Sequence, residues 1–208
     1  MNILEDLMGM LLSLFNRPYI PDTLLKELKG PLLLHISDTP VDIYPYIFRI
    51  IGIVKPKYLV HTGDMVDDIK LEMYKNRLDD YYRGLAKLLP GLEGQDALEI
   101  YYSLGNHDKF GPLKELMNKG RILEKEYITI HNVDFRISHY HQRPTKKVDF
   151  NLFGHSFKPN HYIHKEEIGL NGLLNINVIE LDTKRVFHLK YPVGTNRLRG
   201  MELKRIGV

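Results

Sequence analysis

Five clusters of polar residues stand directly after apolar stretches and contain side chains that bind metal ions. They occupy residues 37–39 (Ser-Asp-Thr), 63–67 (Gly-Asp-Met-Val-Asp), 105–108 (Gly-Asn-His-Asp), 138–139 (Ser-His) and 154–155 (Gly-His). A single Asp or His after a strand is ordinarily a turn or capping residue. Five such clusters at the carboxyl ends of strands meet at one edge of an α/β sheet, where active sites gather. Carboxylate, imidazole and amide groups collected there predict a metal site.

The elements that must position these clusters alternate between strands and helices in the first half of the chain. Apolar runs predict strands over 32–36, 58–61 and 99–103, and the intervening patterns predict helices over 44–54, 67–89 and 112–118. The second half predicts mostly strands, over 127–130, 134–138, 149–153, 173–181 and 186–191. Two packed sheets with helices outside accommodate both halves.

The order and spacing of the clusters resemble those of the calcineurin-like metallophosphoesterase family. That family carries, in order, Asp-x-His, Gly-Asp-x-x-Asp, Gly-Asn-His-Asp/Glu, an isolated His and Gly-His-x-His. The corresponding segments here are 38–40 (Asp-Thr-Pro), 63–67, 105–108, His139 and 154–157 (Gly-His-Ser-Phe). The resemblance spans residues 31 to about 160. It implies an α/β fold, a four-layer α/β/β/α sandwich of two mixed sheets flanked by helices.

The resemblance also implies a centre for two divalent metal ions, drawn from Mn, Fe, Zn or Mg. Asp64 would bridge the two ions. Asn106, His139 and His155 would complete the second site, and Asp38 would belong to the first. A bridging carboxylate holds two cations about 3.5–4 Å apart, and together they lower the pKa of a bound water.

The last two residues of the Gly-Asn-His-Asp segment are assigned to catalysis by the same resemblance. His107 would protonate the leaving oxygen or stabilise the transition state, and Asp108 would orient His107. A metal-bound hydroxide would attack phosphorus in line. The implied activity is hydrolysis of a phosphomonoester or phosphodiester, and the implied substrate is a phosphorylated small molecule or nucleotide.

Two positions depart from the family pattern, and both belong to the first metal site. Pro40 stands where Asp-x-His has its histidine, and Phe157 stands where Gly-His-x-His has its second histidine. Asp38 and Asp64 remain, and two carboxylates bind a hard cation weakly, with water in the other positions. We therefore expect one tightly bound metal ion, with the first site weak or absent.

Five further histidines are candidates to replace the missing ligands. His35 and His61 each stand three residues before a ligand, which puts them on the opposite strand face and predicts structural roles. His141 shares a strand face with the ligand two residues before it and is the first candidate for a substitute. His161 and His164 are expected on a surface loop.

Residues 1–30 form a predicted N-terminal helical extension, and residues 31–208 form the metallophosphoesterase domain. Apolar residues recur at helical spacing over 3–15, and Asp22 fits the N-cap of a short helix that stops at Gly30. An apolar helix face must be covered. The cover would come from the domain itself, from a second copy through self-association, or from a membrane surface.

The composition excludes several classes of site. The 208 residues include no cysteine, so disulfides, zinc–thiolate sites and cysteine nucleophiles are impossible, and a cytoplasmic location fits. No apolar run reaches the roughly 18–20 residues that span a bilayer. The N-terminal segment lacks the features of a signal peptide.

Two rival functions remain open on the sequence. A degenerate family member would bind metal but serve as an interaction module, catalytically weak or inactive. His107 argues against this function, because a scaffold has no chemical need for it. A nuclease subunit would need a broad basic groove, and a net charge of only +3 argues against nucleic acid as a partner.

Overall fold

Strands and helices alternate in the first half of the chain, and strands dominate the second, in the computed structural model, which describes residues 3–13, 15–94 and 98–201. The helices are α1 (Ile3–Ser13), α2 (Asp22–Glu27), α3 (Tyr44–Val54), α4 (Leu78–Glu93), α5 (Phe110–Leu116) and α6 (Thr195–Leu198). The strands are β1 (Leu32–Ile36), β2 (Tyr58–His61), β3 (Glu99–Tyr102), β4 (Arg121–Ile122), β5 (Tyr127–Ile130), β6 (Val133–Ile137), β7 (Phe150–Phe153), β8 (Tyr162–His164), β9 (Glu167–Asn171), β10 (Ile176–Glu180) and β11 (Arg185–Leu189).

The first sheet contains six strands in the order β11-β10-β1-β2-β3-β4. Strands β1 to β4 run parallel, whereas β10 and β11 are antiparallel additions at one edge. Helices α3 and α4 connect successive parallel strands, because a parallel pair needs a crossover. The carboxyl ends of β1, β2 and β3 therefore meet at one edge, just before the polar clusters at 37–39, 63–67 and 105–108.

The second sheet contains five strands in the order β5-β6-β7-β9-β8, with both parallel and antiparallel neighbours. Its inner face packs on the first sheet through apolar side chains that alternate along each strand. Phe135, Phe150 and Leu152 from this sheet contact a buried cluster that includes Leu33 and Val60 from the first. This inter-sheet core brings the end of β7 beside the end of β1.

Helices α3, α4 and α5 pack on the outer face of the first sheet. Residues spaced three or four apart on α3 and α4 are buried there, including Ile47 and Ile50 on α3 and Leu85 on α4. Within the described residues, the outer face of the second sheet is covered at its centre by a loop: the Gln142 carbonyl accepts hydrogen bonds from Arg136 (3.0 Å) and from Asn151 (2.9 Å). The predicted α/β fold, two mixed sheets flanked by helices, is confirmed.

The predicted helix over 67–89 is wrong in its first half. Helix α4 begins only at Leu78, after turns and a short 3-10 helix (Lys75–Arg77), and Pro90 lies within α4 instead of ending it. Lys70 has a φ of 46°, a left-handed conformation that a right-handed helix does not contain. The irregular backbone between β2 and α4 is therefore part of the loop that follows the Gly-Asp-Met-Val-Asp cluster.

The sequence does not predict β4, β8 or β9. Strands β8 and β9 form an antiparallel hairpin in the segment expected to be a surface loop. Close approach of the two strands requires Gly169, because a Cβ atom there would lie 2.1 Å from the Tyr162 ring. Strand prediction depends on alternating apolar residues, and β9 is a short, partly polar segment with a glycine at its centre.

The N-terminal extension is joined to the sandwich by hydrogen bonds of two backbone carbonyls and one side-chain hydroxyl. Arg49 Nη1 donates hydrogen bonds to the carbonyls of Phe15 (3.3 Å) and Asn16 (2.5 Å), and the N–H of Val193 donates to Ser13 Oγ (3.4 Å). Exposed apolar side chains remain on this segment, among them Met8, Met10, Leu11 and Phe15. Self-association through residues 1–30 stays a prediction. Among the described residues, no helix combines the length and apolar character needed to cross a membrane.

A buried arginine near the end of the described chain fixes the loop after β1. Arg199 is fully buried, and its guanidinium donates to the carbonyls of Asp38 (2.6 Å), Ser37 (3.1 Å) and Leu173 (2.9 Å). The guanidinium also lies 4.3 Å from the ring centroid of Tyr191. These contacts join four separate segments of the chain behind the polar clusters.

We expect Arg199→Met to lower the free energy of unfolding by roughly 2–5 kcal/mol, because three buried carbonyls lose a charged donor and gain no other. Urea denaturation followed by circular dichroism measures the change. Arg197→Met is the matched control, since Arg197 is exposed and only two residues away. Equal losses in the two variants would contradict the assignment.

Candidate metal centre

Three of the predicted ligands occupy strained backbone positions at strand ends. Asp38 follows β1, Asp64 follows β2 and His155 follows β7, with φ angles of 52°, 56° and 65° respectively. Non-glycine residues in the left-handed region are uncommon and cluster at functional sites. Packing between the loops is close, since a Cβ atom on Gly105 would lie 2.2 Å from Asp64 Oδ1. The fold therefore constrains these side chains to face one another.

Four predicted ligand atoms of the second site converge on one point. The Nε2 atom of His139 lies 3.0 Å from Asn106 Oδ1, 3.2 Å from His155 Nδ1 and 3.3 Å from Asp64 Oδ2. Ligand atoms held about 2.1 Å from a common ion stand about 3–3.5 Å apart. Asp64, His139 and His155 are accordingly grouped as possible metal ligands, and the amide oxygen of Asn106 completes the set.

A hydrogen bond outside the cluster orients His139 for ligation. Its Nδ1 atom lies 2.8 Å from the carbonyl oxygen of Thr62 and donates its proton there. This contact leaves the Nε2 atom facing Asp64, Asn106 and His155. Such a partner on the second ring nitrogen is typical of metal-binding histidines.

The electrostatics of the cluster favour a cation. Burial disfavours the charged form of His139, but the hydrogen bond and negative charge of Asp64 outweigh burial and raise the pKa of His139 to about 9. Burial also opposes the charged form of Asp64, yet its contacts with His139 and the His107 N–H leave the pKa of Asp64 below its usual value. A metal ion and a proton therefore compete for the same imidazole nitrogen.

We expect metal affinity to increase as the pH rises from 6 towards the His139 pKa of about 9. Because contact with Asp64 raises the pKa of His139 in the metal-free protein, we expect the imidazolium to lose its Nε2 proton when metal binds. Calorimetric titration with Mn²⁺ in two buffers of different ionisation enthalpy should reveal release of at least one proton per ion at pH 7. The exposed-loop variant His131→Asn should behave like wild type, and binding without proton release would contradict this assignment.

His107 lies beside the centre, with its Nε2 atom 3.3 Å from Asn106 Nδ2. Its Nδ1 atom accepts a hydrogen bond from the N–H of Glu72 (3.2 Å), so in the neutral ring the proton sits on Nε2. Its own backbone N–H donates to Asp64 Oδ1 (2.9 Å). Burial lowers the pKa of His107, and the negative charge of Asp64 opposes that change.

Asp108 does not orient His107 directly, and the predicted contact between the two side chains is not found among the described hydrogen bonds. The Asp108 carboxylate accepts from the N–H groups of Asp64 (2.7 Å), Met65 (2.9 Å) and Gly105 (2.8 Å) and from the hydroxyl of Tyr81 (3.1 Å). Four donors saturate the carboxylate. Asp108 is therefore a positioning residue, which fixes the backbone that carries Asp64.

Two buried carboxylates beside the centre each have one oxygen without a hydrogen-bond partner among the described residues. These oxygens are Asp38 Oδ1 and Asp67 Oδ2. The other oxygen of Asp38 accepts from the hydroxyl of Ser37 (2.5 Å) and the N–H of His155 (3.1 Å). No role was assigned to Asp67 from the sequence, yet it lies beside Asp64 and His107, with ligand atoms within 4.8 Å of one another.

No described histidine replaces the missing first-site ligands. His141 stacks edge-on against Phe153, with centroids 4.7 Å apart, and contacts Tyr162 instead of the centre, so its predicted role as a substitute is wrong. Residues two apart share a face only within a strand, and residues 138–142 lie beyond the end of β6. Phe157, which stands at the position of the second missing histidine, lines a groove together with Leu173.

The other histidines have the following partners. His35 and His61 are buried and contact the hydroxyls of Thr62 (3.0 Å) and Thr39 (2.9 Å), which confirms their structural roles. His164 is exposed as expected. His161 is half-buried, less exposed than a loop residue would be, and accepts a hydrogen bond from the Asn171 N–H (3.1 Å).

Two residues at the rim of the centre were missed. The Tyr140 ring lies 4.4 Å from the His155 ring and 5.0 Å from the His139 ring, between centroids, and 46% of the residue is exposed. Glu72 Oε2 accepts a hydrogen bond from Asn106 Nδ2 (2.6 Å), which turns the amide oxygen towards His139. Neither residue belongs to a recognisable motif, and only the position of Tyr140 beside a ligand hinted at a role.

Comparison with known proteins assigns the chain to a family. A sequence profile of calcineurin-like phosphoesterases matches residues 31–188. The chain belongs to the calcineurin-like phosphoesterase family. As a calcineurin-like phosphoesterase, it is a metal-dependent hydrolase of ester bonds, and the residues at the centre fit a divalent ion. No curated protein gives a significant match.

Solved structures with the same fold include other phosphoesterases. A novel archaeal phosphodiesterase aligns with a TM-score of 0.55 and 16% identity, covering 76% of this chain and 99% of its own. Yfce, a phosphoesterase from E. coli, aligns with a TM-score of 0.50 and 13% identity, covering 77% of this chain and 98% of its own. At these identities, the structural similarity shows the fold of this calcineurin-like phosphoesterase but not its substrate.

Proposed function

We propose that the protein hydrolyses a phosphomonoester or phosphodiester with one tightly bound divalent ion, held by Asp64, Asn106, His139 and His155. The observation that carries the proposal is the convergence of the other three ligand atoms within 3.3 Å of His139 Nε2. Mn, Fe, Zn and Mg all fit a mixed carboxylate, amide and imidazole set. The first site, which lacks two histidines, is weak or absent.

The residues around the ion would have different roles in the reaction. When bound, a divalent ion lowers the pKa of water and neutralises charge on phosphoryl oxygens. His107 holds a proton on Nε2, from which it protonates the leaving oxygen. Glu72 keeps the Asn106 amide oriented, and the Tyr140 ring lies against the rings of His139 and His155. Asp108 holds the backbone of Asp64 in place.

Hydrolysis of chromogenic esters tests the proposal. Purified protein is assayed with p-nitrophenyl phosphate and bis(p-nitrophenyl) phosphate before chelation, after chelation and after addition of Mn²⁺. We expect hydrolysis to stop on chelation and to return with Mn²⁺. His139→Gln should be inactive, whereas His141→Gln, a change only two residues away, should retain activity. Hydrolysis that survives chelation, or equal loss in the two variants, contradicts the proposal.

Three further parts of the proposal come from the sequence. The substrate is a phosphorylated small molecule or nucleotide, and the low net charge of +3 argues against nucleic acid. The location is cytoplasmic, in keeping with the absence of cysteine. The alternative of an inactive interaction module is less favoured, because His107 retains both its burial and its orientation towards the centre.

A further inference from the structure

Three carboxylates at the centre need more positive charge than one divalent ion supplies. Asp38, Asp64 and Asp67 are 0%, 1% and 0% exposed. Buried charges are costly unless they are paired. An ion at the second site offsets two of the three negative charges, and the two histidines that would help to hold another ion are replaced by Pro40 and Phe157.

Lys70 brings one positive charge to this cluster. Its Nζ atom lies 2.5 Å from Asp67 Oδ1, and its side chain is only 19% exposed. The backbone of Lys70 is held in the left-handed region, with a φ of 46°. The N–H groups of Met73 and Tyr74 both donate to its carbonyl, at 2.9 and 3.0 Å. Surrounding hydrogen bonds therefore hold the backbone at Lys70 in an uncommon conformation.

The contact with Asp67 puts the Lys70 ammonium beside the predicted metal ligands. A ligand atom of Asp67 lies within 4.8 Å of ligand atoms of Asp64 and His107. The ammonium therefore neutralises a carboxylate that belongs to the centre and not to the surface.

We propose that the Lys70 ammonium takes the place of a first metal ion by neutralising the third carboxylate, so that the centre contains one divalent ion and one ammonium. Lys70 has three donor hydrogens, and Asp67 takes one of them. The others can bind phosphoryl oxygens of the substrate, a role that rests on the proposed function. The neutralisation of Asp67 stands without it.

An ordinary surface ion pair does not account for this geometry. Exposed pairs join two solvated side chains and contribute little to stability, whereas Asp67 is fully buried beside two other carboxylates. The competing occupant is a weakly bound hard cation, because Asp38 Oδ1 and Asp67 Oδ2 are free of hydrogen-bond partners among the described residues. The number of ions bound per chain distinguishes the Lys70 ammonium from a weakly bound cation.

The test is a Mn²⁺ titration of wild type, Lys70→Met and Lys70→Arg, with the bound ions counted by mass spectrometry and calorimetry. We expect one ion in wild type and in Lys70→Arg at saturating Mn²⁺. Lys70→Met, which keeps the length of the side chain and removes its charge, should bind a second, weaker ion. Lys87→Met is the matched control, since Lys87 is exposed on α4.

Inorganic phosphate provides a second readout on the Mn²⁺-loaded proteins. We expect Lys70→Met to bind phosphate about 10–100-fold more weakly than wild type, the value of a charged hydrogen bond, and Lys70→Arg and Lys87→Met to bind it about as well as wild type. Two ions in wild type, one ion in Lys70→Met, or unchanged phosphate affinity in Lys70→Met overturns the proposal. No ester is hydrolysed in these titrations, so an inactive wild type would refute the proposed function without deciding the role of Lys70.

Discussion

The His107→Asn variant should turn over a chromogenic ester roughly 10²–10⁴-fold more slowly than wild type, the usual contribution of a general acid. Metal content should stay the same. The Glu72 N–H occupies Nδ1 of the ring and leaves the proton on Nε2, so the ring is set up as a donor. Asparagine keeps a polar group of similar reach but has no proton to transfer near neutral pH. Steady-state kinetics and metal analysis of the same sample make the measurement.

The control for this variant is His131→Asn, in the exposed turn between β5 and β6. It should match wild type in both rate and metal content. Two outcomes would contradict the assignment of His107. An unchanged rate would exclude a chemical role. Loss of the metal ion would make His107 a ligand, in a group with Asp64 and Asp67, whose ligand atoms also lie within 4.8 Å of its own.

The Asp64→Asn variant should lose metal affinity by more than about 100-fold, because changing an outer-shell partner alone costs 10–100-fold. Asp64 contributes the only carboxylate of the proposed second-site ligand set. One of its oxygens lies 3.3 Å from His139 Nε2, and the other accepts the His107 N–H. Asparagine preserves the shape and removes the charge. Hydrolysis should disappear together with the metal.

Calorimetry with Mn²⁺ measures this loss, and Asp42→Asn is the matched control because Asp42 is exposed in the 3-10 helix before α3. The control should bind metal as wild type does. An Asp64→Asn protein that binds Mn²⁺ with wild-type affinity would show that the ion sits elsewhere. Thermal denaturation of both variants checks that the fold is intact.

Much of the candidate site could be predicted because its ligands follow strands. Asp38 and Asp64 stand at the carboxyl ends of parallel neighbours, and such ends meet at one edge of a sheet. Asn106, His139 and His155 follow β3, β6 and β7 in the same way. Apolar runs located these strands, and residue type supplied the chemistry.

The remaining parts depend on loops and on contacts distant in sequence. Lys70 and Glu72 lie in a stretch whose charge pattern resembles a helix, and only the left-handed turn at Lys70 shows otherwise. Arg199 contacts the carbonyl of Asp38, 161 positions away. Asp108 is bound by backbone N–H groups, which sequence patterns do not reveal. None of these contacts has a local periodicity from which it could be inferred.

Anomalous scattering from a crystal soaked in Mn²⁺ would count the metal ions and show which residues hold them. We predict one strong peak per chain, bounded by Asp64, Asn106, His139 and His155. Lys70 should remain on Asp67, with no second peak of comparable height. Two full peaks, or a single peak between Asp38 and Asp67 with the second-site ligands left free, would contradict it.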